Sequence, residues 1–129
     1  MPFNKLHVPH DLPLQTCREI NDLLHNALVN TCGVPADDDF CIISRYKHGD
    51  MILPPTFWGE RDPDNTIIIE IKMLVGRSED QKEGLYLEVR NGLRDIGFPP
   101  NNAIIFLSEN SHIDWSFNTD GSLKKTLSI

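Results

Sequence analysis

The residue with the clearest chemical potential in the sequence is Pro2, which follows the initiating Met1 in MPFNKLHVPHD. Proline is a small residue after which the initiating methionine is usually removed, and removal gives Pro2 a free secondary amine. An α-amino group titrates at about pH 7.7–8.0, so it gives or takes a proton near neutrality, and burial or a neighbouring charge shifts its pKa. The alternative is that Pro2 only begins a strand, where its missing N–H is tolerated.

A free amine at Pro2 fits two kinds of reaction. As a neutral base it takes a proton from carbon beside a carbonyl and returns it elsewhere, which is keto–enol tautomerisation. As a cation it polarises a carbonyl, or as a neutral amine it forms an iminium, and either provides the electron sink that a β-keto acid needs to lose carbon dioxide. The pKa of Pro2 decides between them, because a nearby carboxylate raises it and an arginine or an apolar wall lowers it.

The elements that must position this amine begin with a β-α-β unit. Residues 2–8 predict a short strand, and residues 13–32 predict a helix with Pro13 in its first turn and Gly33 as its C-terminal cap. The helix carries an apolar stripe, formed by Cys17, Ile20, Leu24, Ala27 and Leu28. The segment DDFCIISRY then predicts the second strand.

The same pattern occurs again in the second half of the chain. TIIIEIKMLVG predicts a strand, residues 78–96 predict a helix that starts with a capping box at Ser78 and Gln81, and AIIFLSE predicts the matching strand. The helix has its own apolar face, formed by Leu85, Val89, Leu93 and Ile96. Gly97 ends the helix, and a polar tail follows the strand.

The repeat predicts the fold. GVPADDDFCIIS, which starts at Gly33, matches GFPPNNAIIFLS, which starts 64 residues later at Gly97. Two β-α-β units give an α+β, two-layer arrangement in which two helices cover one face of a four-stranded sheet. We expect a single domain over residues 1–129, with halves at about 1–50 and 65–110 and a C-terminal tail.

The other face of this sheet is predicted to meet further subunits. Strand 66–74 places Ile67, Ile69, Ile71 and Met73 on one side, and a mixed set on the other side, namely Ile68, Glu70, Lys72 and Leu74. A closed homo-oligomer is the natural way to cover such a face.

Composition excludes several classes of function. The formal charge is −7, the pI is near 5.0, and lysine and arginine form no cluster, so we expect neither a nucleic-acid nor a membrane partner. The N-terminus lacks the pattern of a signal peptide, which favours the cytoplasm. Cys17, Cys32 and Cys41 lack CxxC spacing and the histidines are scattered, so we predict no disulfide and no metal site.

Four features together resemble the tautomerase superfamily, and within it the malonate semialdehyde decarboxylase branch. They are Pro2, the tandem β-α-β units, GRS at 76–78 and DWSF at 114–117, and VPADDD at 34–39 adds to the likeness to that branch. The resemblance covers nearly the whole chain. It implies a homotrimer with an active site around each N-terminal proline near a subunit boundary, and no metal or organic cofactor.

The resemblance also assigns roles to individual residues. It implies that Pro2 is the catalytic amine, that Asp38 works beside it, and that Arg77 binds the substrate carboxylate. Trp115 and Phe117 match the aromatic wall of the pocket. The family's Arg-x-Arg pair has Val75 at its first position here, which weakens the case for malonate semialdehyde as the substrate.

Each assigned residue also has a structural interpretation. Asp38 lies in a run of three aspartates of the kind usually found in solvated turns, and Trp115 and Phe117 alternate as a half-buried strand does. Arg77 precedes a helix N-terminus, where a cation gains nothing from the helix dipole, which favours a functional role. His25, on the first helix, is a weak catalytic candidate because some related dehalogenases use a histidine.

The central connection of the chain adds one further pair of aromatic residues. Phe57 and Trp58 lie in this stretch, where they line the mouth of the pocket or serve only in packing.

We therefore expect a cofactor-independent enzyme that acts on a small oxo or unsaturated carboxylic acid by tautomerisation, decarboxylation or hydration. The alternative is a non-catalytic oligomeric scaffold or small-acid-binding protein. If Met1 is retained, the nitrogen of Pro2 is an amide and cannot act as acid, base or nucleophile.

Overall fold

The protein, described here by a computed structural model of residues 2–129, is built from two β-α-β units. The first unit contains β1 (Pro2–Pro9), α1 (Leu14–Cys32) and β2 (Cys41–Tyr46). The second contains β3 (Ile67–Leu74), α2 (Glu79–Asp95) and β4 (Ala103–Asn110), and a short helix, α3 (Leu123–Thr126), lies in the C-terminal tail. The predicted order of elements is confirmed, and the predicted boundaries agree with the observed ones to within three residues.

The four strands form one mixed sheet in the order β2-β1-β3-β4. Strand β1 pairs in parallel with β2 and antiparallel with β3, and β3 pairs in parallel with β4. Each parallel pair is the product of one β-α-β unit, and the antiparallel pair joins the two units at the centre of the sheet. This arrangement confirms the fold predicted from the repeat.

The core lies between the sheet and the two long helices. The inward side of β3 is fully buried, as its alternation predicts, and so is the predicted apolar stripe of α1. Helix α2 contributes Leu85, Val89 and Leu93, whereas Ile96, predicted on the same face, lies at the C-cap and is partly exposed. Burial of these side chains supplies the main free energy that favours folding.

The predicted helix signals are confirmed at both long helices. Gly33 ends α1 in the left-handed conformation, with φ of 66°, and its N–H donates to the carbonyl of Leu28. Ser78 caps α2, since its hydroxyl accepts the N–H of Gln81 while the Gln81 side chain accepts the N–H of Ser78. These two ends are close to the segments that carry the candidate site residues.

The face of the sheet opposite the helices is lined by a mixture of charged and apolar side chains. His7 donates from Nε2 to Glu70 Oε2 at 2.7 Å, and its Nδ1 lies 2.6 Å from the hydroxyl of Tyr46. Ile42 and Phe106, which the strand register puts on the same face, are about half exposed. The face is therefore mixed, as the alternation of β3 predicts.

Candidate active site

One end of the sheet collects the segments that carry the predicted site residues. Strand β1 starts there, and because β2 is parallel to β1, the connection at residues 33–40 arrives at the same end. The antiparallel β3 and its parallel neighbour β4 finish there, so the segments that follow them are also close. The strand directions therefore bring together four regions that are far apart in the sequence.

Pro2 is the first residue of β1 and is buried. It lies opposite Met73 in the antiparallel register with β3, and its side is the one that faces the helices. The question of whether Met1 is removed falls on a residue outside the described range. The fold nevertheless places Pro2 at the end of the sheet where the other candidates lie.

Asp38 is turned into the protein. Its side chain is 6% exposed, whereas Asp37 and Asp39 are exposed, so the description of a solvated turn fits the neighbours and not Asp38. The N–H of Asp38 donates to the carbonyl of Pro35 at 3.1 Å, which closes a turn over residues 35–38. A carboxylate kept from water in this way interacts more strongly with a nearby charge or proton donor than one in solvent.

A cavity of about 260 Å³ lies beside Asp38. It is lined by Pro35, Asp37, Asp38, Phe40 and Phe117. An apolar wall with one buried carboxylate is the usual chemistry of a small-molecule site.

Arg77 lies in the connection between β3 and α2 and is held by backbone carbonyls. Its Nε donates to the carbonyl of Cys32 at 3.1 Å, and its Nη1 donates to that of Leu74 at 3.2 Å. A guanidinium has five N–H donors, so these two bonds use two of them and leave the rest of the planar fork for a ligand. The two bonds fix the direction in which that fork points.

Three aromatic rings extend along one side of the site. Trp115 stacks on Phe117 with ring centroids 5.6 Å apart and planes at 15°, and Phe117 lies 5.7 Å from Phe40. The indole Nε1 of Trp115 donates to Asn110 Oδ1 at 2.6 Å, and its carbonyl accepts the N–H of Leu123 at the start of α3. The C-terminal tail thus anchors the aromatic wall instead of forming the half-buried strand that the alternation of Trp115 and Phe117 suggests.

Sequence reasoning missed Phe40 as a member of this wall. Its counterpart in the repeat is Ile104, a residue of β4, so the match made Phe40 look like part of a strand. The available signal was its spacing, because residues two apart in an extended segment point the same way and Phe40 follows Asp38 by two.

The aromatic pair in the long central connection does not join this site. Trp58 is 90% exposed, and Phe57 is also exposed. Neither is among the described residues that line the cavity beside Asp38. Arg61 holds the connection by donating from Nη1 to the carbonyls of Pro54 and Phe57.

His25 is hydrogen-bonded to the backbone of the segment that carries Asp38. Its Nε2 donates to the carbonyl of Ala36 at 2.8 Å, in the segment that carries Asp38. Since a carbonyl oxygen only accepts, the ring proton is on Nε2.

The cysteine near the site is not activated. Burial raises the pKa of Cys41 to about 11, and the negative charge of Asp39 adds to that effect. A thiol with this pKa is protonated at neutral pH and is a poor nucleophile. In the part of the chain that the structure describes, the cysteines are free and no group of three or more His, Cys, Asp or Glu side chains is arranged to hold a metal ion.

Comparison with protein families identifies the chain. Residues 38–118 match the family model described as "Tautomerase enzyme". The protein belongs to the tautomerase family. The matched range covers the candidate residues from Asp38 to Phe117, so the resemblance predicted from sequence is confirmed at the level of the family.

Two curated relatives carry the same family name. The probable tautomerase YusQ of Bacillus subtilis (strain 168) is 25% identical over 118 residues, which cover 91% of this chain and 93% of the relative. The probable tautomerase YrdN of the same organism is 24% identical over 118 residues, with 91% of each chain covered.

Solved structures extend the likeness to decarboxylases. A malonate semialdehyde decarboxylase inhibited by 3-bromopropiolate superimposes with a TM-score of 0.86 at 28% identity, over 98% of this chain and 95% of that one. A malonate semialdehyde decarboxylase described with decarboxylase and hydratase activities gives 0.85 at 29% identity, over 98% and 97%. A fused 4-OT symmetric trimer, at 17% identity and a TM-score of 0.77, shares the fold.

Within residues 2–129, no helix of this tautomerase-family chain is both long and apolar enough to span a membrane.

Proposed function

We propose that this tautomerase-family enzyme uses the amine of Pro2 on a small oxo carboxylic acid without a cofactor, and that decarboxylation of a 3-oxo acid is the reaction its geometry supports best. The observation that carries the proposal is the buried carboxylate of Asp38 at the end of the sheet where β1 begins. A buried carboxylate favours a proton on a nearby amine, because it stabilises the cation more than the neutral base.

In this mechanism Pro2, once free, is protonated and donates a hydrogen bond to the 3-oxo group. The bond between the carboxylate carbon and its neighbour breaks, carbon dioxide leaves, and the electron pair moves onto the oxo oxygen, which takes the proton of Pro2 to give an enol. The enol carbon then takes a proton from water while the enol hydroxyl returns its proton to Pro2, which gives the carbonyl product and restores the protonated amine. Charge that develops on the oxo oxygen is stabilised by the ammonium, which is the electrostatic term that usually dominates catalysis.

Arg77 and the aromatic wall have supporting roles in the proposal. The N–H groups that Arg77 does not donate to Cys32 and Leu74 pair with the substrate carboxylate and hold it for cleavage. Phe40, Phe117 and Trp115 shield the site from water, which strengthens the interactions inside it. Because Val75 stands at the other position of the family's arginine pair, Arg77 alone would hold the carboxylate, so we propose a class of 3-oxo acids and not malonate semialdehyde in particular.

Tautomerisation is the second candidate. The two Bacillus relatives are both named as probable tautomerases, and a neutral Pro2 would carry that reaction with the same residues. Hydration of an unsaturated acid, with Asp38 activating water, belongs to the same set of residues and follows the hydratase activity named for the related decarboxylase.

We also propose that the chain acts as a homotrimer. The sheet face opposite the helices carries Ile42 and the 56% exposed Phe106, which a second copy would cover. One neighbour that shares the fold is described as a symmetric trimer.

The test combines mass spectrometry with turnover. The intact mass reports whether Met1 is removed, and incubation with 3-bromopropiolate, the inhibitor named for the related decarboxylase, should leave an adduct on Pro2. Turnover is measured with malonate semialdehyde and with the enol of a small 2-oxo acid. Pro2→Ala should lose labelling and most turnover, whereas Pro9→Ala, the same change at the other end of β1, should keep both. Retained Met1, or labelling confined to lysines, would support the non-catalytic binding protein instead.

A further inference from the structure

Two side chains of α1 hold the segment that carries Asp38. Asn21 donates from Nδ2 to Asp39 Oδ1 at 3.1 Å, and His25 donates from Nε2 to the carbonyl of Ala36 at 2.8 Å. The two residues are four apart on the helix, so they lie on one face, one turn from each other. Their bonds fall on either side of Asp38 in the sequence.

The segment between these anchors has little freedom left. Its own turn is closed by the bond from the N–H of Asp38 to the carbonyl of Pro35 at 3.1 Å. Beyond the turn, the carbonyl of Phe40 accepts the N–H of Asn4 at 2.9 Å, which attaches the segment to β1. The backbone at Asp38 is therefore fixed by α1, by its own turn and by the strand that begins with Pro2.

Asn21 and His25 each destabilise the fold through one buried polar atom, and side-chain packing alone does not explain why polar residues occupy these positions. Within residues 2–129, Asn21 Oδ1 and His25 Nδ1 are buried without a hydrogen-bond partner. Each such atom costs about 1–3 kcal/mol of desolvation, and apolar residues of similar size would avoid it. Polar residues at these positions are consistent with a function of the hydrogen bonds that Asn21 Nδ2 and His25 Nε2 donate to the Asp38 segment.

We propose that His25 and Asn21 are positioning residues, which set where the Asp38 carboxylate stands relative to Pro2. The proposal depends on the role proposed for Asp38 and replaces the direct catalytic role that sequence resemblance suggested for His25. In this role neither residue needs to touch the reacting atoms. A small displacement of the carboxylate would weaken proton placement, and a misplacement of about 1 Å can reduce a rate by about 100-fold.

The kinetic test compares His25→Ala, Asn21→Ala and His25→Gln, with malonate semialdehyde or the enol probe as substrate. We expect His25→Ala to lower kcat by about 10–100-fold with KM changed by less than about threefold, and Asn21→Ala to have a smaller effect in the same direction. His25→Gln should restore kcat to within about threefold of wild type, because the glutamine amide still donates to a carbonyl.

A matched control is present on the same helix. Asn30 donates from Nδ2 to Glu88 Oε1 at 2.7 Å, away from the Asp38 segment, and Asn30→Ala should leave kcat and KM unchanged. A loss of activity in His25→Gln as large as that in His25→Ala, together with the loss of one limb of the pH–rate profile, would overturn the proposal in favour of direct acid–base action by His25.

A second readout does not depend on activity. The backbone N–H of Asp38 should exchange with solvent at least about tenfold faster in His25→Ala than in wild type or Asn30→Ala, since opening of the turn exposes it. Unchanged exchange would overturn the proposal whatever the kinetics. If Pro2→Ala and Asp38→Asn kept full turnover while exchange rose, the proposed function would fail and the structural part of the inference would stand.

Discussion

The two ends of the sheet are built from the same repeat but differ in chemistry. At the candidate site, the strand begins with Pro2; at the opposite end, the equivalent strand β3 begins with Ile67, which is preceded by the buried Thr66 and so has an ordinary amide nitrogen. The offset of 64 residues that relates Gly33 to Gly97 relates Asp38 to Asn102, which replaces a carboxylate by a neutral amide. In the proposed function the nitrogen of Pro2 becomes a free amine once Met1 is removed, whereas the nitrogen of Ile67 stays in an amide bond.

The cation is also missing from the second end. The residue before the N-cap of α2 is Arg77, and the residue before the N-cap of α1 is Leu12. The opposite end nevertheless has the larger cavity of the two, about 430 Å³ compared with about 260 Å³. The assignment of the candidate site therefore rests on the groups that line it and not on the size of its cavity.

The largest effect is expected when the equivalent residues Asp38 and Asn102 are each replaced by the residue found at the other end of the sheet. Asp38→Asn should lower kcat by about 100–10,000-fold, the usual contribution of a positioned acid or base, with the fold retained by circular dichroism. Asn102→Asp should keep activity but unfold more easily at pH 8 than at pH 5, because burial raises the pKa of a carboxyl and the charged form is the one that burial disfavours. Full activity in Asp38→Asn would contradict the assignment.

Two arginines, one at each end of the sheet, distinguish a role in substrate binding from a role in folding. Arg77 and Arg45 each donate to two backbone carbonyls, those of Cys32 and Leu74 at the site and those of His10 and Leu12 at the other end. Arg77→Lys should raise KM about 10–100-fold because a lysine cannot replace a planar fork on a carboxylate. Arg45→Lys should destabilise the fold without raising KM, and an equal rise in both would show that Arg77 acts only through folding.

Two buried asparagines offer a comparison by stability. Asn4 is 1% exposed, and among residues 2–129 neither atom of its amide has a hydrogen-bond partner, whereas Asn102 accepts the N–H of Asp62 at 3.0 Å. Asn4→Leu should raise the free energy of unfolding by about 1–3 kcal/mol, and Asn102→Leu should lower it by a similar amount because the N–H of Asp62 loses its acceptor. Denaturant titration at fixed protein concentration measures both, and a loss of stability in Asn4→Leu would show that its amide is satisfied in solution.

The smallest effect on stability is expected between the two ends, at Glu70 on the sheet face opposite the helices. The hydrogen bond from His7, followed by the charges of Lys72 and Lys5, lowers the pKa of Glu70. A lowered pKa in the folded state stabilises the protein above the unfolded value of about 4.3 and stops doing so as the pH falls through the folded value. Glu70→Gln should therefore flatten the loss of stability between about pH 5 and 3, and leave the pH–rate profile of the site unchanged. A changed profile would connect this face to the reaction.

The fold was largely predictable because local and global patterns agree. The alternation in β3, the apolar stripe of α1 and the capping box at Ser78 each indicate the element that forms, and the repeat of GVPADDDFCIIS indicates how the elements are joined. The largest boundary difference is at β2, which was predicted to begin at Asp38 and begins at Cys41, because Asp38 closes a turn.

The candidate site was assigned only through resemblance, and parts of its geometry follow from no local sequence pattern. Three consecutive residues are all aspartate, so the sequence does not indicate which of them is buried. The turn at Pro35 and the contacts of α1 determine that it is Asp38. Phe40 joins the aromatic wall because Phe117 reaches it from a tail that is 77 residues further along the chain. Such contacts depend on how separate elements pack, which no local pattern records.

The central position of β1 also affects how the chain can fold as it is synthesised. One edge of β1 is paired as soon as β2 is available, but the other waits for β3, which ends at residue 74. Until then, the first half exposes an unpaired strand edge beside a partly covered core, the kind of surface on which chains associate wrongly. The strand that carries Pro2 is thus among the first to be made, and it is not fully paired until more than half of the chain has left the ribosome.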